Sequence, residues 1–165
     1  TFCDTDFVGV GPDGGKFKTP EALADAVAAR WPSNNGHGQP FVVCTGGEPL
    51  LQLDSAAVLA LQARGFEVAI ETNGTLEPPA EVDWVCVSPK ARADLMLRTG
   101  DELKLIFPQA GAEPKHFEHL DFRHFFLQPL DDPARACNTQ LALRYCLEHP
   151  QWRLSLQTHK VLGIP

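Results

Sequence analysis

Phe41-Val42-Val43-Cys44-Thr45-Gly46-Gly47-Glu48-Pro49 is the stretch from which the fold is read. Phe41 to Cys44 are apolar and include two β-branched valines, the pattern of a short buried strand. The run then breaks at Thr45-Gly46-Gly47-Glu48-Pro49. Two consecutive glycines open backbone conformations closed to other residues and let a ligand approach the main chain closely. Glu48 sets a carboxylate beside those bare amides, and Pro49 stops the strand. Together they suit a zwitterionic ligand, with carboxylate and backbone groups for an ammonium and amides for a polar or anionic edge. A Gly-Gly turn bearing a solvated glutamate uses the same residues, and only the rest of the chain separates the two readings.

Working outward, 165 residues give one domain with enough chain for a sizeable core. Hydrophobic residues at 44% and charged residues at 21% are ordinary for a globular protein. No apolar run approaches the roughly 20 residues of a membrane span, and no signal peptide is expected. The net charge of -7 argues against a nonspecific nucleic-acid binder, which needs clustered Lys and Arg to meet phosphates. Five cysteines, an odd number scattered without a close pair, point to a reducing compartment such as the cytoplasm rather than to a disulfide framework. No Cys/His pair has zinc spacing.

Along the chain, Gly9 to Gly15 forms a glycine-rich loop that lacks the Gly-Lys-Ser/Thr of a phosphate-binding loop. Thr19 caps a helix with Pro20 at its first position, running from Glu21 to about Trp31. Pro32 to Pro40 connects back to the central strand. Asp54 or Ser55 starts a second helix, Ala56 to Arg64, stopped at Gly65. Strands are then predicted at Phe66–Ile70, Trp84–Val87, Leu103–Phe107, Phe125–Leu127 and Trp152–Leu156. Asp132 caps a further helix with Pro133 in its first turn; Cys137, Leu141 and Tyr145 share one face that reads as core packing. Cys44, Cys86, Cys137 and Cys146 read as small core residues.

Polar groups recur where the strands end. Glu71-Thr72-Asn73-Gly74, Ser88-Pro89-Lys90, Gln128-Pro129 and Gln157-Thr158-His159-Lys160 all follow a predicted strand. In barrel-like α/β proteins the loops at that end converge on the site. Strand and crossover alternate about six times, and several crossovers lack a convincing helix. The expected fold is α/β, an incomplete, open TIM-like barrel with a parallel sheet and few helices. There are no internal repeats, and a single domain, 1–165, is expected.

Thr45-Gly46-Gly47-Glu48-Pro49 after a hydrophobic strand resembles the motif with which radical S-adenosylmethionine (SAM) enzymes hold the methionine ammonium of SAM. Phe2-Cys3-Asp4-Thr5-Asp6-Phe7 resembles the end of the cluster-binding motif of one branch, the 7-carboxy-7-deazaguanine synthases. The likeness continues through Glu71-Thr72-Asn73-Gly74, Val87-Ser88-Pro89-Lys90, Leu103-Lys104, Phe126-Leu127-Gln128-Pro129 and the final Gln157 to Pro165, in the family's order. It implies a lyase of queuosine biosynthesis, and so a part in tRNA modification without direct nucleic-acid contact. The implied reaction turns 6-carboxy-5,6,7,8-tetrahydropterin into 7-carboxy-7-deazaguanine with loss of ammonia. A reduced [4Fe-4S] cluster would cleave SAM, and the resulting radical would remove a hydrogen from the substrate.

The same resemblance implies roles for residues. Cys3 would be a cluster ligand, a soft thiolate suited to iron and sulfur. Its Cys-x-x-Cys partner would fall just before Thr1, so the protein is expected to extend upstream to the missing N-terminal strand and first cluster cysteines. Thr5 would bind a bridging Mg²⁺, a hard ion taking oxygen donors and keeping several waters; by itself Asp4-Thr5-Asp6 also suits a helix cap or turn. Gly46, Gly47 and Glu48 would hold the methionine end of SAM, with Ser88 and Lys90 toward its carboxylate. Gln128 and Phe2 would meet adenine, and Glu71 or Asn73 ribose. Thr45, His159 and the carboxylate of Pro165 would contact the pterin. A flavodoxin-like electron donor and a homodimer are implied as well. Two alternatives use the same turn: an enzyme that activates a glycyl-radical protein, and a non-catalytic SAM-binding remnant.

Overall fold

A computed structural model describes residues 14–32 and 38–163. Six strands lie among them: β1 (Phe41–Cys44), β2 (Glu67–Thr72), β3 (Trp84–Val87), β4 (Thr99–Phe107), β5 (Asp121–Pro129) and β6 (Trp152–Leu154). Their order in the sheet is their order in the chain, and the registers of β1 with β2, β3 with β4, β4 with β5 and β5 with β6 are parallel. Four α-helices accompany them: α1 (Pro20–Ala28), α2 (Ser55–Gln62), α3 (Arg135–Glu148) and α4 (Thr158–Leu162). No α-helix fills the crossovers from β2 to β3, β3 to β4 or β4 to β5, the last holding only a 3-10 turn at Pro114–His116. The open parallel sheet with few helices is the α/β, partial TIM-like class the sequence predicts. Among the described residues, no helix is long and apolar enough to cross a membrane.

The chain gathers into two compact units, one running through Thr72 with Leu76–Val85, the other holding Asn73–Thr75 and everything from Cys86. In the first, Thr19 Oγ1 accepts from the Ala22 amide (3.2 Å) and Asp54 Oδ1 from Ala57 (2.9 Å), so each cap satisfies an amide that its helix cannot. Ala24, Val58, Leu61, Phe66 and Val68 form the core, with Val42 and Cys44 packed against it. Arg64 ties the two helices through Asp25 (2.7 Å) and the carbonyls of Glu21 and Ala60.

In the second unit, Leu103, Leu105 and Leu127 are fully buried. Phe125 stacks edge-on against Trp152 at 5.2 Å. Because strand side chains alternate, the other face of β4 and β5 carries Glu102, Lys104, His124, Phe126 and Gln128, all half-buried, with Glu102 opposite His124 and Lys104 opposite Phe126.

Several expectations change. Phe41 and Val43 are 43% and 44% exposed, because among the described residues β1 stands at the end of the strand order and pairs with β2 alone. α1 stops at Ala28, short of Trp31. Cys137 is exposed, and α3 buries Asn138 and Ala142 instead of the Cys137–Leu141 face. Asn138 decides that rotation: its amide donates to the Leu130 carbonyl and to Asp132 Oδ1, both at 2.9 Å. A buried amide must find such partners. Asp132 thus holds Asn138 and the Ala134 amide (2.8 Å) rather than capping a helix that begins at Pro133. The Thr158–Lys160 stretch, expected as a loop at a strand end, starts α4.

Candidate functional site

β1 ends at Cys44, opposite Ile70 of β2, so the chain leaves one strand near where the other reaches Thr72. Gly46 there has φ +119, a left-handed conformation that disfavours a side chain, and a Cβ built on it would meet nothing within 4 Å. Thr45 and Gly47 are exposed, while Glu48 is half-buried and Pro49 buried. Glu48 caps the 3-10 turn Pro49–Leu51, its Oε1 accepting from the Leu50 amide at 3.1 Å. The same oxygen accepts from the Thr72 hydroxyl at 2.7 Å, and Thr72 is only 2% exposed. The carboxylate is therefore fixed from two sides beside an open glycine backbone. Glu71, one residue earlier on β2, is half-buried. Thr72 is the residue sequence reasoning passed over; its signal is a hydroxyl in a strand position otherwise reserved for apolar side chains.

The second unit carries the remaining predicted residues. Asn73 Oδ1 accepts from the Thr75 amide at 2.9 Å, closing a turn. Gly74 follows with φ +79, and a Cβ there would lie 2.6 Å from Leu95 and 2.7 Å from Val87. Its carbonyl accepts from Met96 and Leu97. Ser88 and Lys90 come together just past β3, Lys90 Nζ donating to the Ser88 hydroxyl at 3.0 Å. Gln128 lies on the polar face of β5 with Phe126 and His124. His159 is exposed on α4, and its neighbour Lys160 meets Asp131 at 2.6 Å.

Burial pushes the Cys44 and Cys146 thiols above their ordinary range, which disfavours the thiolate a metal needs. This agrees with reading both as packing residues. Among the described residues, no group of three or more His, Cys, Asp and Glu is placed to hold a metal. Phe2, Cys3, Thr5 and Pro165 lie outside the described residues.

No family model matches the chain. It is similar to the 7-carboxy-7-deazaguanine synthase of Caulobacter vibrioides, 63% identical over 166 residues that take in all of this chain and 78% of that protein. The synthase of Bordetella pertussis is likewise 63% identical, with the same coverage. That of Nitratidesulfovibrio vulgaris is 53% identical over 99% of this chain. Among solved structures, QueE from Escherichia coli superposes with a TM-score of 0.60 at 26% identity, over 84% of this chain and 63% of that one.

Proposed function

The chain belongs to the 7-carboxy-7-deazaguanine synthase family, and from that premise we propose that it converts 6-carboxy-5,6,7,8-tetrahydropterin to 7-carboxy-7-deazaguanine with loss of ammonia, in queuosine and 7-deazapurine biosynthesis. When bound, a [4Fe-4S] cluster and SAM supply the radical that removes hydrogen from the substrate. What the chain itself does is hold and orient. The observation that carries the cofactor half of this reading is the Glu48 carboxylate, set by Thr72 and Leu50 at the end of β1 beside the open backbone of Gly46. An anionic acceptor next to bare amides fits the ammonium end of an amino acid such as the methionine of SAM.

On this reading Gly46, Gly47 and Glu48 bind that end. The paired Ser88 and Lys90 supply a hydroxyl and a positive charge for its carboxylate. Gln128 meets the adenine, and Glu71 or Asn73, at the end of β2, the ribose. Thr45 and His159 contact the pterin. Phe2 joins the adenine contacts, Cys3 is one of the cluster's cysteine ligands, and Thr5 binds Mg²⁺. The enzyme works in the cytoplasm as a homodimer with a flavodoxin-like donor. Its acidic charge supports a metabolic rather than a physical link to RNA.

The test uses the full protein, reconstituted anaerobically with iron and sulfide and given SAM, Mg²⁺, reductant and carboxytetrahydropterin. We expect 7-carboxy-7-deazaguanine, lost when Mg²⁺ is withheld and reduced by Thr5→Ala. SAM cleavage without that product would discard the substrate. Failure to form a cluster with its cysteines present would leave a SAM-binding remnant.

A further inference from the structure

α4 presents His159 without a packed face of its own. None of Thr158–Leu162 is buried, and Val161 and Leu162 are 64% and 65% exposed. A cavity of about 160 Å³ lies against the helix, lined by Pro129, Thr139 and Leu156 together with Lys160 and Val161. Five residues are too few for a helix to stand by its own hydrogen bonds, and open space replaces the core that would otherwise seat it. Among the described residues, a polar contact ties it down. Lys160 Nζ lies 2.6 Å from Asp131 Oδ2, the side chains 25% and 33% exposed, a short charge-assisted hydrogen bond. The other oxygen, Asp131 Oδ1, faces Arg135 Nη1 at 3.7 Å. Asp131 thus joins the start of α3, which is anchored by buried Asn138 and Ala142, to the helix that bears His159.

We propose that Asp131 is a positioning residue for the reaction: through Lys160 it seats α4 so that His159 meets the pterin. This rests on the assignment of His159 to the substrate made above. A part-exposed ion pair exerts a modest, graded effect, so the consequence is a shift in substrate affinity rather than loss of chemistry.

The experiment compares Asp131→Asn, Lys160→Met, their double variant, the exchanged pair Asp131→Lys with Lys160→Asp, and His159→Ala in the reconstituted full protein. Two quantities are read: KM and kcat for carboxytetrahydropterin, and amide hydrogen exchange across Thr158–Leu162 in protein without cluster or SAM. Each single variant should raise KM roughly fivefold and speed exchange by a similar factor, with kcat within about twofold. The double variant should do no more than Asp131→Asn alone, which already breaks the contact with Lys160, and the exchanged pair, which sets a lysine beside Arg135, should recover only the share of both losses that belongs to Lys160. Unchanged exchange in Asp131→Asn and Lys160→Met would overturn the tether whatever the kinetics. Faster exchange with unchanged KM would overturn the positioning role. His159→Ala then tells which premise failed: a raised KM there keeps His159 at the substrate and condemns the tether alone, whereas an unchanged KM removes His159 itself.

Discussion

At the scale of single residues, Glu48 shows how neighbours fix the orientation of a carboxylate. Thr72 brings its hydroxyl to Oε1 from inside the strand, and the Leu50 amide meets the same oxygen. A buried hydroxyl bonded to a carboxylate is worth about 1.5–3 kcal/mol, and part of that goes into fixing the orientation of the side chain. Thr72→Val keeps the shape and deletes the donor, so on the proposed reading SAM should bind roughly tenfold more weakly, while Thr72→Ser should stay within about threefold of the parent. Equilibrium dialysis against the reconstituted protein measures both, and equal affinities for Val and Thr would remove Glu48 from the SAM site. Glu48 itself was legible in sequence because its motif is local. Thr72 was not, since its meaning depends on the register that pairs Cys44 with Ile70, a relation no local pattern states.

At the scale of elements, Glu118 fastens the chain between β4 and β5 to the end of α3 and the start of β6. Its Oε1 accepts from Tyr145 Oη and Trp152 Nε1, both at 3.0 Å, and its carbonyl accepts from Gln151. Burial first, then the bond to Glu118 and its charge, push the Tyr145 phenol from 10.0 up to about 12. An unfolded chain would release that proton near 10.0, the folded one only near 12. The contribution of Tyr145 is therefore whole below pH 10 and drains away as pH climbs toward 12. Urea unfolding of the parent and Tyr145→Phe should show a stability gap that narrows over that interval; a constant gap would mean the phenol is not held by Glu118. The existence of α3 was readable from its spacing, yet its inward face was not. Hydrophobic periodicity weighs Cys137 and Leu141, while the buried amide of Asn138 and the small Ala142, which allow close approach, decide the rotation. α4 escaped prediction because five mostly polar residues carry no apolar stripe to announce a helix.

At the scale of the whole molecule, the strands were legible because each is a short β-rich run ended by turn residues, while their boundaries slipped: β4 and β5 begin four residues before the expected cores, β2 and β5 run two residues further, and β6 ends two residues early. The half-exposed side of β1 was not legible, since an apolar run looks the same whether or not both its faces are covered. The net charge of -7 is a property of the whole chain and makes its own prediction. Labelled tRNA should show no change in anisotropy with the protein even at low salt, where phosphate attraction is greatest; salt-sensitive binding would require a basic patch that the charge count conceals. The coincidence of strand order with chain order has a consequence for synthesis. Each new strand finds its neighbour already made, so loop closure is as short as a parallel sheet permits. Among the described strands, the sheet can grow in the direction in which the ribosome delivers it, each strand docking on the one made just before.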